Sequence, residues 1–230
     1  MKNQWFGDQY DFRKYGLLYF LCEKYYKKLL VAWMLTKNDS FKEGTIQAKI
    51  WNCLNSRKKI EYAKECFKDL PKEKEIYFYD EEIKSQNRKD WIDGLNAYVA
   101  QKNPSLIFFD ADNGFDKQPN QNTQKRETYI YLDELEQFIK KGIDILLYQH
   151  LTCSVRNKGT SFNDMCITQR KLLMDNGYNK IRVIKASGDL AFFLIQQGDD
   201  SSKSREEFRE AFTNAFGTTK KEKQYLDIWE

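Results

Sequence analysis

The chain has 230 residues, 41% of them hydrophobic and 31% charged, with aromatics at 15%, a composition that excludes a disordered chain and supplies material for one core. Its 38 basic and 34 acidic side chains leave a formal charge of only +4, so a basic surface for nucleic acid has to come from clustering rather than from the total. Five widely spaced cysteines without a CxxC and a single histidine argue against a zinc site, and the polar N-terminus and lack of an 18-residue apolar run predict a cytoplasmic protein of bacterial type with no membrane contact.

From Tyr10 to Tyr26 the residues Phe12, Tyr15, Leu18, Tyr19, Cys22, Tyr25 and Tyr26 recur at three- and four-residue intervals. That spacing predicts an amphipathic helix, with Asp8 or Asp11 placed to cap it. The run KLLVAWML, Lys28 to Leu35, precedes the polar turn TKNDS and predicts a buried parallel strand. Residues 42–70 carry helical material with weak boundaries. EIYFYD, 75–80, predicts a second strand, and residues 87–103 a helix stopped by Pro104.

Next comes SLIFFDADNGF, Ser105 to Phe115: an unbroken apolar run that ends in Asp110, Asp112, Asn113 and Gly114. A fully buried strand ending in carboxylates is how an α/β protein presents reactive groups at the carboxyl edge of its sheet. The polar segment 116–128 that follows predicts a mobile loop beside that edge. Residues 131–142 predict an amphipathic helix with a glycine stop, and 143–150 a strand ending on His150, the only histidine. Residues 169–177 predict a helix and 180–186 and 190–197 two successive strands, while 201–230 predicts a charged helix and a Lys-rich tail. The alternation predicts a single domain over 1–230: a three-layer, mostly parallel doubly wound α/β sheet with an antiparallel C-terminal edge hairpin.

The stretch GDQYDFRKY, Gly7 to Tyr15, resembles the G-N-x-x-D-x-x-K-H pattern that opens the bacterial adenine-N6 methyltransferases acting on 23S ribosomal RNA. The order of elements over roughly residues 7–200 is similar to that family, and DADN, Asp110 to Asn113, stands where the family carries a D-P-P-Y type motif. The resemblance implies a Rossmann-like fold and S-adenosylmethionine as cofactor, with transfer of its methyl group to an adenine amine in nucleic acid. It places Asp110 as acceptor of hydrogen bonds from the amine, with Phe115 as the candidate for stacking on a flipped base. Lys14, with Asp8 and Asp11, is placed near cofactor or base, and Asn38 or Asp39 in the turn TKNDS has to receive the methionine end without the family's glycines. His150 falls where the family keeps site residues after a later strand, beside Gln149 as a substrate contact.

The same residues carry bland readings. Asp110 and Asp112 lie in good turn chemistry, Lys14 forms an i, i+3 pair with Asp11 on a helix face, and a lone histidine is commonly a structural residue. Arg156, Lys158, Arg170 and Lys171 are candidate phosphate contacts that also read as surface charge. Two further functional classes stay open. FFDADNG is similar to the D-x-D motif of haloacid-dehalogenase-type phosphotransferases, which would make Asp110 and Asp112 ligands of Mg2+ in a phosphoester hydrolase or nuclease, with Thr152 and Gly198 to Asp200 as downstream partners. A non-catalytic binder of nucleic acid or protein is the other. In any of these, a strand-end carboxylate facing a cleft is expected to contribute little to packing, so Asp110→Ala is expected to leave the fold intact.

Overall fold

Helix α1 (Gln9–Lys24) leads into β1 (Lys28–Trp33), followed by β2 (Glu75–Tyr79), α2 (Arg88–Lys102), β3 (Leu106–Asp110), β4 (Phe115–Asp116), β5 (Ile130–Tyr131), α3 (Leu132–Ile139) and β6 (Asp144–His150). Helix α4 (Phe162–Asp175), β7 (Ile181–Ser187), β8 (Leu190–Ile195) and β9 (Asp227–Trp229) complete the elements among the described residues. The structure is a computed structural model, and it describes residues 9–35, 65, 67–83, 87–117, 126–151, 159–187, 190–197, 207, 208, 210 and 227–229.

Seven strands form one sheet in the order β2-β1-β3-β6-β8-β7-β9. The first four are parallel, and β8 runs antiparallel to both β6 and β7. This is the expected doubly wound α/β sheet with antiparallel strands at one end. The hairpin inserts its second strand, because Leu190–Ile195 is apolar and buried throughout and tolerates an interior place. Its first strand carries Arg182 and Lys185 and takes the outer position, which β9 then covers by pairing Val183 with Trp229. The expectation of only a helix and tail beyond residue 200 did not include β9; helical residues there include Glu207 and Phe208. Within the expected mobile loop, Asp116 belongs to β4, and 126–128 forms a short helical turn; the rest lies outside the described residues apart from Lys117.

Strand alternation divides the core into two layers. Leu30, Ala32, Ile107, Phe109, Ile145 and Leu147 pack under α2, α3 and α4. Leu29, Val31, Trp33, Leu106, Phe108, Leu146 and Tyr148 pack under α1, with Phe67 and Phe208 completing that face. Helices on both faces make three layers. Among the described residues no helix is long and apolar enough to cross a membrane.

Candidate functional site

The chain runs from β1 outward to β2 and then returns to β3 on the other side of β1, so the direction of winding reverses between β1 and β3. A ligand crevice opens at the carboxyl ends of two such strands, because their following connections leave in opposite directions. Asp110 is the last residue of β3 and lies in register with Trp33, the last of β1. Leu106 and Phe108 face α1, so alternation sends Asp110 to the same side.

Helix α1 meets it there. Lys14 Nζ donates to Asp110 Oδ1 at 3.0 Å and to Oδ2 at 3.3 Å, and the two side chains are only 7% and 2% exposed. The same ammonium lies 4.8 Å from the centre of the Tyr148 ring, within cation–π range. One position further along α1, the Tyr15 hydroxyl accepts from Trp33 Nε1 at 3.1 Å. These contacts fix α1 across the carboxyl ends of β1, β3 and β6. His150 pairs with Leu190, a residue of the α1-side core, and so shares the face of Asp110 and Tyr148 at the half-buried end of β6. Gln149 turns to the other face, as strict alternation requires.

On that other face Gln149 builds the turn that carries Asp112 and Asn113. Its Oε1 accepts from Phe115 N at 3.2 Å and from Gln169 Nε2 at 3.2 Å, and its Nε2 donates to the Asn113 carbonyl at 3.2 Å. Gly114 has φ +90, and a Cβ there would stand 2.1 Å from Gln149 Oε1, so the turn strongly favours glycine. Asn113 donates through Nδ2 to Thr128 Oγ1 at 2.7 Å and through its backbone to the Thr128 carbonyl at 2.9 Å. Parallel pairing of β4 with β5 completes the anchorage. Asp112 and Asn113 remain half-buried at the rim.

Phe115 does not sit where a stacking aromatic is needed. It is 1% exposed, with its ring edge-on to Phe193 at 5.2 Å, because β4 carries it into the α4-side core. Gln149, expected as a substrate contact, is likewise a scaffold of the turn. Tyr129 is the half-buried aromatic beside Asn113; burial first, and then the Asp116 carboxylate, push its phenol above the usual range, while Asn113 acts the other way. Lys171 binds Asp175 at 3.0 Å on the exposed side of α4, away from the turn. Asp8, Asn38, Asp39, Thr152, Arg156, Lys158 and Gly198 to Asp200 lie outside the described residues, as does the Asp11 side chain. Among the described residues no group of three or more His, Cys, Asp or Glu side chains is gathered to hold a metal ion.

Tyr148, Tyr15, Thr128 and Gln169 are site-building residues that the sequence reading did not single out. Tyr148 was within reach: it sits two residues before His150, and alternation alone puts both on one face. Nothing in the local pattern marks Thr128 or Gln169, whose partners lie 15 and 20 residues away.

No family model matches the chain, and no curated protein matches it. Among solved structures it is similar to the human Methyltransferase-like protein 13 in complex with SAH, at 12% identity over 95% of this chain and 93% of that one. The TM-score is 0.39, too loose a superposition to transfer the role of any residue.

Proposed function

We propose that this protein is an S-adenosylmethionine-dependent methyltransferase acting on the exocyclic amine of adenine in nucleic acid. One relationship carries the reading. Lys14, from the N-terminal stretch that resembles the methyltransferase motif, reaches Asp110, from the strand end that replaces D-P-P-Y, at 3.0 Å across 96 residues of sequence. The pair stands at the reversal point of the sheet, where α/β folds bind ligands.

The described part of the crevice suits the cofactor. Lys14 and Asp110 form a pair without net charge, and Asp112 adds a carboxylate at the rim, so a sulfonium meets no uncompensated cation there. Asn38 and Asp39, assigned to its methionine end, lie outside the described residues. A bound S-adenosylmethionine supplies an electrophilic methyl group. Asp110 accepts an N–H of the adenine amine and aims the nitrogen lone pair. Lys14 holds the carboxylate in one orientation, and Tyr148 beneath it excludes water. Asn113, pinned by Thr128, fixes the rim of the turn, and the His150 imidazole accepts the proton the amine gives up on transfer.

Calorimetric titration with S-adenosylmethionine, followed by transfer of labelled methyl to RNA and DNA oligonucleotides, tests this. Weak but measurable binding is expected, with label retained on adenine. Transfer should fall at least 100-fold in Lys14→Gln while cofactor affinity, measured under conditions where the variant is folded, changes less than threefold, since Lys14 acts on the amine through Asp110. No heat at millimolar cofactor with folded protein would overturn the reading. A melting temperature raised by Mg2+ instead, in wild type but not in Asp110→Asn, would move Asp110 and Asp112 to phosphoester hydrolysis.

A further inference from the structure

A second concavity lies on the opposite face of the sheet, at its β2 edge. It has a volume of about 560 Å³ and runs between the end of β2 and the outer side of α2, within the size range of small-molecule sites. Its wall is aromatic: the Tyr79 ring stands 5.5 Å from Trp91 and 5.6 Å from Tyr98, centre to centre. Its rim is acidic, formed by Glu81, Glu82 and Asp90, and among the described residues no lysine or arginine lines it. The wall is closely built, because a Cβ on Gly94 would stand 2.5 Å from the Tyr79 hydroxyl. The negative field reaches the rings: after burial, Glu81 raises the Tyr79 phenol and Asp80 raises that of Tyr98.

From this arrangement we infer that the groove binds an alkylammonium cation, of the kind carried by a free polyamine or by a lysine side chain. Aromatic faces attract a cation through their quadrupole, carboxylates at the rim attract it over a longer range, and together they discriminate against neutral and anionic ligands. The chain supplies its own precedent. The Lys102 ammonium lies 5.6 Å from the centre of the Tyr98 ring and 5.3 Å from that of Tyr77, so one end of this ring cluster already holds an alkylammonium. From Asp90 to Tyr98 the groove follows about 12 Å of helix, a length suited to an extended aliphatic chain lying on rings with its charged end among the carboxylates. The site does not rest on the methyltransferase reading, since it uses none of the residues around Asp110.

Calorimetry at 0.15 M salt, where loosely held surface charge is screened, tests the inference with three probes: spermidine, a blocked Gly-Lys-Gly peptide, and 1,8-octanediol as a neutral chain. Spermidine or the peptide should bind, and the diol should not. The tighter of the two cations identifies the source as free polyamine or protein lysine. The variant Glu81→Gln/Glu82→Gln/Asp90→Asn changes only exposed side chains and should weaken binding at least tenfold. Tyr98→Leu should weaken it severalfold without altering charge. Failure of both cations to bind at 1 mM, or equal affinity in wild type and the triple variant, would overturn the assignment.

Discussion

Lys14 and Asp110, 96 positions apart, share a 3.0 Å ion pair that is almost wholly removed from water and roofed on one side by the Tyr148 ring. This reverses the expectation that Asp110→Ala leaves the fold untouched. A lone buried ammonium or carboxylate costs several kcal/mol to keep charged, so breaking the pair from either side should destabilise by about 3–5 kcal/mol. Replacing both partners, as in Lys14→Met/Asp110→Leu, should cost clearly less than the sum of the single changes, because no charge is left unpaired. Urea midpoints for Lys14→Met, Asp110→Leu and the double variant measure this. Single changes costing under about 1 kcal/mol would mean that the pair is solvated.

The turn beneath the candidate site predicts a second effect. Gly114→Ala places a methyl group against Gln149 Oε1 and forces a non-glycine residue to φ +90. Left-handed strain of about 1–2 kcal/mol and overpacking of about 1–3 kcal/mol should together lower stability by more than 2 kcal/mol. In a Gln149→Ala background, which has already lost the clashing oxygen, the same Gly114→Ala change should cost less, because only the strain remains. No cost there would show that the left-handed conformation is not required.

Much of this fold was legible because its strands are continuous apolar runs bounded by turns: Lys28–Trp33, Leu106–Asp110 and Asp144–His150 all fall within the stretches read from sequence. Burial on both faces makes such runs unmistakable. Helix α4 was read from residue 169 but begins at Phe162, although Ser161 and Asp164 spell its start: Asp164 N donates to Ser161 Oγ at 3.1 Å, and Ser161 N to Asp164 Oδ2 at 3.3 Å. That box precedes a polar first turn, which hid it. The position of β8 inside β7 was not legible, since either strand of a hairpin pairs equally well locally and only the relative burial of Ile181–Ser187 and Leu190–Ile195 decides. Asp110 was readable as a strand end. Its partner was readable only as a helix-face lysine, because the contact between them is a product of the tertiary fold.

The Ser161 cap gives a small, clean test. Ser161→Ala removes the acceptor for Asp164 N from an exposed position and buries nothing new. The cost should be about 1 kcal/mol. Ser161→Thr, which keeps both the acceptor for Asp164 N and the hydroxyl that donates to Asp164 Oδ2, should restore most of it. Equal stability of all three proteins in urea would mean that α4 starts further along the chain.

Alkaline pH should weaken the protein in a defined window. Burial pushes the thiols of Cys22 and Cys166 up from 9.0 to about 11, with Lys74 and Lys185 respectively opposing the shift. Burial also holds the Tyr26 phenol well above its ordinary value, reinforced by Asp144, whose Oδ2 accepts its hydrogen bond at 2.7 Å. In each case the folded protein keeps a proton that the unfolded chain releases earlier, so the unfolded state binds fewer protons and stability falls as pH rises. The thiol contribution is complete below about pH 9 and declines until about pH 11, by at most roughly 2–3 kcal/mol for each group. Urea midpoints should therefore be flat from pH 7 to 8.5 and drop steadily above 9. Cys22→Ala should start lower, because it opens a gap in the α1 core, yet show a shallower decline. Alkylation with iodoacetamide at pH 8, read by peptide mass mapping, should leave Cys22 and Cys166 unmodified until urea unfolds the chain. Labelling of either residue in the native protein, or stability unchanged up to pH 10.5, would show that these thiols are not held in the protonated form by burial.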